Sequence, residues 1–215
     1  MKRRLAACLL TLPALMGVAG LAQAQSYPAK PIRWVVPYPA GGGSDFLART
    51  IGQPLSTLVN QPVLVDNKPG GNTAIAASEV ARAPADGYTI LSADNGTMVF
   101  NSALYSKLSY NPSKDLVPVT LMGKFPMVLV VGANSGVKDG KDFIAKAKAN
   151  PGKVNYGSAG AGSPHHLAME LLKVWAGLHM VHIPYRGAAP ALGDLAGGQI
   201  PAMMVDLAAG AGFIK

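Results

Sequence analysis

The residues most able to do chemistry in this chain of 215 residues are gathered in two glycine-rich turns. In the first, Ile32-Arg33-Trp34-Val35-Val36 runs into Pro37-Tyr38-Pro39-Ala40-Gly41-Gly42-Gly43-Ser44-Asp45, an apolar strand pattern that breaks into glycines and then opens a helix. Three consecutive residues without side chains let backbone N–H groups turn toward one point. The helix that follows brings its unpaired N-terminal donors and positive dipole end to the same place. That arrangement suits an anion, and a β-branched side chain at Gly42 would both fill the anion's space and exclude a positive φ there. The same order of elements also describes a plain strand-to-helix connection, so this segment alone leaves both readings open.

A second turn repeats the logic. Val154-Asn155-Tyr156-Gly157-Ser158-Ala159-Gly160-Ala161-Gly162-Ser163-Pro164 passes from strand to helix, with Ser163 placed as N-cap and Pro164 at the first helical position. The hydroxyls of Ser158 and Ser163, with the N–H groups around them, could hold a carboxylate without a formal positive charge. Ser163 has a competing role as a simple helix cap. Asp45 has one too, because a carboxylate in the first turn stabilises a helix with or without a ligand.

Other chemistries fit these residues poorly. No G-x-S-x-G elbow surrounds Ser44, Ser158 or Ser163, which argues against a serine hydrolase. The P-loop pattern is absent, and Gly157, Gly160 and Gly162 invert the dinucleotide spacing, so no nucleotide cofactor is expected. His165 and His166 open a helix, while His179 and His182 fall three apart in a predicted strand and so point to opposite faces. With no cysteine or acidic cluster beside them, no metal site is expected. Met169, Met180, Met203 and Met204 read as core filling.

The elements that must position the two turns follow from the apolar pattern. Strand-like runs at 32–36, 63–66, 88–93, 127–131, 154–158, 180–184 and 200–206 alternate with helical segments at 45–58, 74–82, 138–150, 163–176 and 190–195. This alternation is the α/β signature of a largely parallel sheet with crossover helices. Between Ser106 and Phe125 the pattern weakens around Pro112 and Pro118, ahead of Pro126, where a domain crossing belongs.

The N-terminus reads as an export signal. Lys2, Arg3 and Arg4 precede an uncharged apolar run from Leu5 to Leu21, and Ala22-Gln23-Ala24 supplies a small-x-small cleavage site, so the mature chain is expected to begin at Gln25. Cys8, the single cysteine, lies too close to Arg4 for a lipoprotein signal. Its removal leaves no disulfide or thiol chemistry. Those three basic residues supply three of the net positive charges, so removing residues 1–24 lowers the net charge from +8 to +5. The remaining charges are scattered singly and without an aromatic stripe, which excludes a nucleic-acid surface and suits attraction of a small anion.

A resemblance adds what spacing does not supply. Tyr27-Pro28-x-Lys30-Pro31-Ile32 leading into the first turn, Asp66-Asn67-Lys68-Pro69-Gly70-Gly71-Asn72, Ala83-Pro84-Ala85-Asp86-Gly87-Tyr88-Thr89, the second turn through His165-His166-Leu167, and His182-Ile183-Pro184-Tyr185-Arg186-Gly187 follow one another in an order that resembles the Bug family. These are the periplasmic solute-binding receptors of tripartite tricarboxylate transporters. The resemblance implies a two-lobed α/β receptor of the type II periplasmic binding protein kind, with the second lobe inserted in the first. Residues 1–24 would be the signal peptide, 25–120 the first lobe and 121–215 the second. It implies capture of a small carboxylate and delivery to membrane permease subunits, with no cofactor, no catalytic residue and no metal.

Carried over by position, the resemblance implies ligand contacts from Tyr38, Pro39, Ala40, Gly41, Gly42 and Asp45 in the first loop, and from Ser158, Ala159, Gly160 and Ser163 in the opposing one. Asn72 and Ala74, Asn95, and Asp206 correspond to further turns near the cleft. Family members continue past the point resembling Gly210 to Lys215 and return to the first lobe, so a first lobe short of strands and weakened binding are expected of the 215 residues. Two other readings stay open: a non-transport relative coupled to a sensor, or a degenerate binding protein; and, less favoured, a small exported hydrolase using Ser158 or Ser163.

Overall fold

A computed structural model describes residues 26–214; the expected signal peptide and its cleavage site lie outside the described residues. The chain forms two sheets in succession. The first contains β1 (Ile32–Val36), β2 (Val63–Asn67) and β3 (Thr89–Leu91), all parallel, in the order β2-β1-β3. Its centre falls on β1 because that run is apolar on both faces apart from Arg33, as a strand covered on two sides must be. Trp34 and Val36 pack with Ala48 of helix α1 (Gly43–Leu58). Arg33 is accommodated by Asp66 and Glu79, its Nε donating to Asp66 Oδ2 at 2.9 Å. Helix α2 (Ala74–Ala81) links β2 to β3. A π-helical turn at Gly96–Phe100 then leads into α3 (Asn101–Leu104).

From Tyr105 to Pro126 the chain holds no strand or helix, in line with the proline-interrupted pattern read from the sequence. It is not loose throughout: Tyr110 is buried and its hydroxyl donates to the Thr97 carbonyl.

The second sheet contains β4 (Met127–Val131), β5 (Asn155–Ser158), β6 (Val181–Pro184) and β7 (Ala202–Asp206), in the order β4-β7-β5-β6. β5 runs parallel to β6 and β7, whereas β4 is antiparallel to β7 with Met127 opposite Asp206. The expected largely parallel pairing is thus found in both sheets, with β4 against β7 the single antiparallel pair among the described residues. Strand direction depends on which neighbour a strand meets, and the apolar pattern of β4 is the same either way.

Helices cover both faces of this sheet. Phe143 and Ala147 of α4 (Gly140–Ala149) and Met169 of α5 (Pro164–Ala176) pack with Tyr156, Met180 and Ala202. Ala191, Leu192 and Leu195 of α6 (Ala188–Ala196) pack with Met203 and Val205 on the other side. Adjacent residues Ala202 and Met203 thus serve opposite cores, as the two-residue period of a strand requires. The methionines at 169, 180 and 203 are core residues as expected. A short final helix, α7 (Leu207–Gly210), follows β7 directly.

Because Leu192 is 1% exposed, Leu192→Ala is expected to destabilise the chain by about 2–5 kcal/mol through lost burial and a residual cavity. Val174→Ala, at a position 76% exposed, should change stability by less than about 0.5 kcal/mol. Urea unfolding of both variants measures the contrast.

Candidate functional site

The first glycine turn is organised from within. Gly41 adopts φ +86°, and its N–H donates to Asp45 Oδ2 at 3.0 Å. Arg49 Nε and Asn67 Nδ2 also donate to the Asp45 carboxylate, each at 3.0 Å to Oδ1. Asn67 Nδ2 donates as well to the Tyr38 carbonyl at 2.9 Å. Burial works to raise the Asp45 carboxyl, but the hydrogen bonds from Arg49, Gly41 and Asn67 outweigh it and hold it below its ordinary range. Asp45 is therefore the brace of this loop.

The residue with positive φ is Gly41 rather than Gly42. Gly42 is the N-cap of α1 in extended backbone, φ −88° and ψ 170°, so the expected need for left-handed freedom at Gly42 is corrected by one position. No side chain caps α1, in contrast to α4, α5 and α7, which are capped by Asp139, Ser163 and Asp206. The leading donors of α1 thus have no side-chain partner.

The second turn stands on a stack of rings. Ser158 is fully buried, and its Oγ lies 2.6 Å from His182 Nε2 and accepts from the Gly160 N–H at 3.1 Å. Ser163 Oγ donates to the Gly160 carbonyl at 2.7 Å and accepts from the His166 N–H at 3.3 Å. The Gly162 N–H donates to His166 Nδ1 at 3.0 Å, which requires that nitrogen to be unprotonated. The His166 ring stacks on His182 with centroids 4.0 Å apart, and His182 stacks on Tyr156 at 5.0 Å. Tyr156 in turn bonds Glu170, which also receives Lys173 Nζ at 2.6 Å. Burial lowers His166, while burial and then the neighbouring His166 push His182 down to about 4. The Ser158–His182 pair has the spacing of a nucleophile and base, yet the buried hydroxyl is closed to a substrate. His179, expected to share a strand with His182, lies just before β6 and is exposed.

The remaining candidates flank these loops. Asn72, in a 3₁₀ turn with φ 47°, donates to Asn101 Oδ1 at 2.7 Å, and Asn101 Nδ2 returns a bond to the Asn72 carbonyl at 2.8 Å. Ala74 begins α2, and its carbonyl accepts from Ser78 Oγ. Asn95 is exposed at the start of the π-helical turn. Beside it Asp94 accepts from the Thr97 N–H at 2.9 Å and from the Tyr38 hydroxyl at 2.7 Å. Burial and then the Asp94 charge raise the Tyr38 phenol well above its ordinary value, so it remains a donor. Asp206 Oδ1 accepts from the Ala209 N–H at 2.9 Å, and Oδ2 lies 3.1 Å from His165 Nε2.

The loops of the two sheets meet through residues that lack room for a side chain. A Cβ on Gly162 would lie 2.6 Å from Asn72 Nδ2, one on Gly187 would lie 2.6 Å from Pro39, and one on Gly43 would overlap the Asp206 carboxylate. A Cβ on Gly41 would sit 3.5 Å from Ala189, and one on Gly96 would sit 3.5 Å from Pro164. Pro39, Gly41, Asn72 and Asp206 therefore lie where the loops of the two sheets meet, with Gly42 at the start of α1 and Gly160 and Ser163 ahead of α5 adjoining them along the chain. Ser158 and Ala159 lie buried beneath this junction, while Ala40 and Asn95 are exposed. Surface depressions between β4, α4 and α5 and beside α2 include none of these residues except Ala74, on the margin of the second.

Sequence reading missed several contributors, among them Arg49, Asn67, Asp94, Asn101, His165, His166 and His182. Asp94 carried a usable signal, since an Asp three residues before Thr97 suits a capped turn. The long-range bonds of Asn101 and His182 had none.

Residues 47–215 match the family described as tripartite tricarboxylate transporter family receptor. Among curated proteins, one encoded in the tcbD-tcbE intergenic region of Pseudomonas sp. (strain P51) is 42% identical over 181 residues, covering 84% of this chain and 53% of its own length. BugT of Bordetella pertussis is 37% identical over 190 residues, covering 88% and 58%. The chain thus spans somewhat over half the length of the curated relatives it matches. Among solved structures, Rpa4515 of R. palustris with adipate superposes with a TM-score of 0.84 at 36% identity, covering 86% of this chain and 62% of that one. MatC from Rhodopseudomonas palustris with bound malate gives 0.79 at 31%, covering 84% and 62%.

Two outcomes follow from the loop geometry. Gly41→Ala forces a side chain into a left-handed conformation and should cost about 1–3 kcal/mol, while Gly42→Ala should cost less, as seen in urea unfolding. The imidazoles of His166 and His182 are held below their unfolded value of about 6.5, so between there and about 4 the unfolded chain binds more protons. Their contribution is complete above about pH 6.5 and is lost as pH falls toward 4. Carboxylates held low, such as Asp45 and Asp206, act below that window. His182→Gln should flatten the slope of stability between pH 6.5 and 4.5.

Proposed function

The chain belongs to the family of tripartite tricarboxylate transporter receptors, and on that premise we propose that it captures a small carboxylate at the junction of its two glycine-rich loops. The observation that carries this reading is the start of α1: a helix terminus without a side-chain cap, placed at Gly43 against the Asp206 carboxylate, which His165 at the start of α5 also reaches. A ligand carboxylate meets backbone donors there and gains from the helix dipole without needing a lysine or arginine.

In this reading residues 25–120 and 121–215 are two lobes. The first loop (Tyr38, Pro39, Ala40, Gly41, Gly42, Asp45), the turns at Asn72, Ala74 and Asn95, the second loop (Ser158, Ala159, Gly160, Ser163) and Asp206 form the site. Asp45, Ser158 and Ser163 shape the loops, and the backbone N–H groups make the contacts. The protein works in the periplasm after cleavage at Gln25 and passes its ligand to the permease subunits of a tripartite tricarboxylate transporter. Family membership, together with carboxylates bound to similar proteins, adipate in one and malate in another, supports the carboxylate ligand and the transporter role, and the Ala22-Gln23-Ala24 pattern supports the cleavage.

The test is thermal unfolding and calorimetric titration with adipate, malate and citrate. A ligand that binds the native state alone should raise stability by about 2.7 kcal/mol at a concentration one hundred times Kd. Gly162→Val, which places a branched side chain against Asn72, should weaken binding at least about tenfold. Absence of any carboxylate-dependent stabilisation, or full affinity in Gly162→Val, contradicts the proposal.

A further inference from the structure

Four consecutive residues between β2 and α2 have positive φ: Gly70 at +125°, Gly71 at +56°, Asn72 at +47° and Thr73 at +73°. Glycine takes such angles freely and asparagine tolerates them, but a β-branched residue there is an outlier. Thr73 is the only β-branched residue with positive φ among the described residues, and it is buried. A backbone conformation of this kind persists only where its surroundings over-determine it.

One side chain supplies the hold. Asn101, the first residue of α3, is fully buried. Its Oδ1 accepts from Asn72 Nδ2 at 2.7 Å, while its Nδ2 donates to the Asn72 carbonyl at 2.8 Å and to Thr73 Oγ1 at 3.2 Å. A carbonyl accepts only, so the bond to the Asn72 carbonyl fixes which way the Asn101 amide faces. Nδ2 also donates to the Tyr110 hydroxyl at 3.1 Å, and that hydroxyl donates to the Thr97 carbonyl. Asn101 thus binds the backbone and side chain of one left-handed residue and the side chain of the next, and is steadied from behind by Tyr110.

The atom held in this way is the one that meets the other sheet's loop. A Cβ on Gly162 would lie 2.6 Å from Asn72 Nδ2 and 2.8 Å from Leu104 Cδ1, and Leu104 ends the same short helix that Asn101 begins. Asn72 and Leu104 together form the seat of Gly162. We infer that Asn101 is a positioning residue for ligand capture: without touching the ligand, it keeps Asn72 and Thr73 in left-handed backbone, so that the turn before α2 meets the second glycine-rich loop at Gly162. The inference rests on the carboxylate-receptor reading above and adds to it a residue on which the meeting of the loops depends. Released from Asn101, the turn relaxes toward negative φ, only a fraction of the molecules keeps the seat, and the apparent affinity falls by that fraction.

Calorimetric titration with adipate, malate and citrate tests it, at a temperature where circular dichroism shows each variant to be folded. Asn101→Ala should weaken the tightest of the three at least about tenfold. A residue that only stabilised the fold would leave the affinity of folded molecules unchanged. Thr73→Gly supplies a second background, in which the same φ carries no strain. Measured against Thr73→Gly alone, Asn101→Ala should then cost less than about threefold, a non-additivity that marks the two positions as acting on one conformation. Unchanged affinity in Asn101→Ala overturns the inference while leaving the carboxylate reading intact, and so does an equal loss in both backgrounds. Should Asn101→Ala not fold, Tyr110→Phe, which removes only the hydroxyl that steadies the Asn101 amide, decides in its place: a loss that shrinks in the Thr73→Gly background supports the inference, and unchanged affinity or an equal loss overturns it. If none of the three carboxylates binds the wild-type chain, the carboxylate reading itself fails and takes the inference with it.

Discussion

The loops that follow strands of the two sheets lie so close together that several contact positions tolerate no side chain. At Gly162 a methyl group would press on both Asn72 Nδ2 and the Leu104 side chain, and at Gly187 it would press on the Pro39 ring. Close packing of this kind fixes relative position, since van der Waals contact rises steeply in energy within a few tenths of an ångström. The bracing of each loop is a consequence. A loop that must present backbone atoms at fixed points needs its conformation set by bonds on its far side, which Asp45, Asn67, Ser158, His166 and His182 supply.

Charge is distributed by the same constraint. Asp45 lies in the first turn of α1, Asp94 precedes the π-helical turn and Asp206 caps α7, so three carboxylates stand near helix starts, where the dipole favours them. Asp45 and Asp206 are also bonded to Arg49 and His165 respectively. Asp45 is thereby paired with a cation, whereas Asp94 and Asp206 are held by hydrogen bonds from Tyr38, Thr97, His165 and Ala209. Beneath the second loop the opposite economy holds: two stacked imidazoles are kept neutral by burial, and a neutral His166 is what allows Nδ1 to accept from the Gly162 N–H.

Similarity to receptors of known structure extends across both sheets and the loops between them, with the chain covering about three fifths of each similar structure. Within that shared frame the residues that differ from one receptor to another need only reshape the walls of the site, because backbone donors at helix starts serve any carboxylate alike.

Much of this was legible in the chain itself. The runs at 32–36 and 127–131 became strands with the same ends, and the weak, proline-marked stretch between Ser106 and Phe125 became the crossing between sheets, since strand pattern and proline geometry are local properties. Ser163 as N-cap with Pro164 behind it, and Asp45 in the first turn of α1, were equally local. What the tertiary structure alone decided were matters of pairing: the antiparallel fit of β4 to β7, the left-handed turn at Gly41 instead of Gly42, the union of His165 with Asp206 across 41 residues, and the stacking of His166 on His182. Each depends on which distant group arrives at a given place. Residue type and spacing encode the conformations a segment prefers, whereas long-range partners are selected only when the whole chain packs.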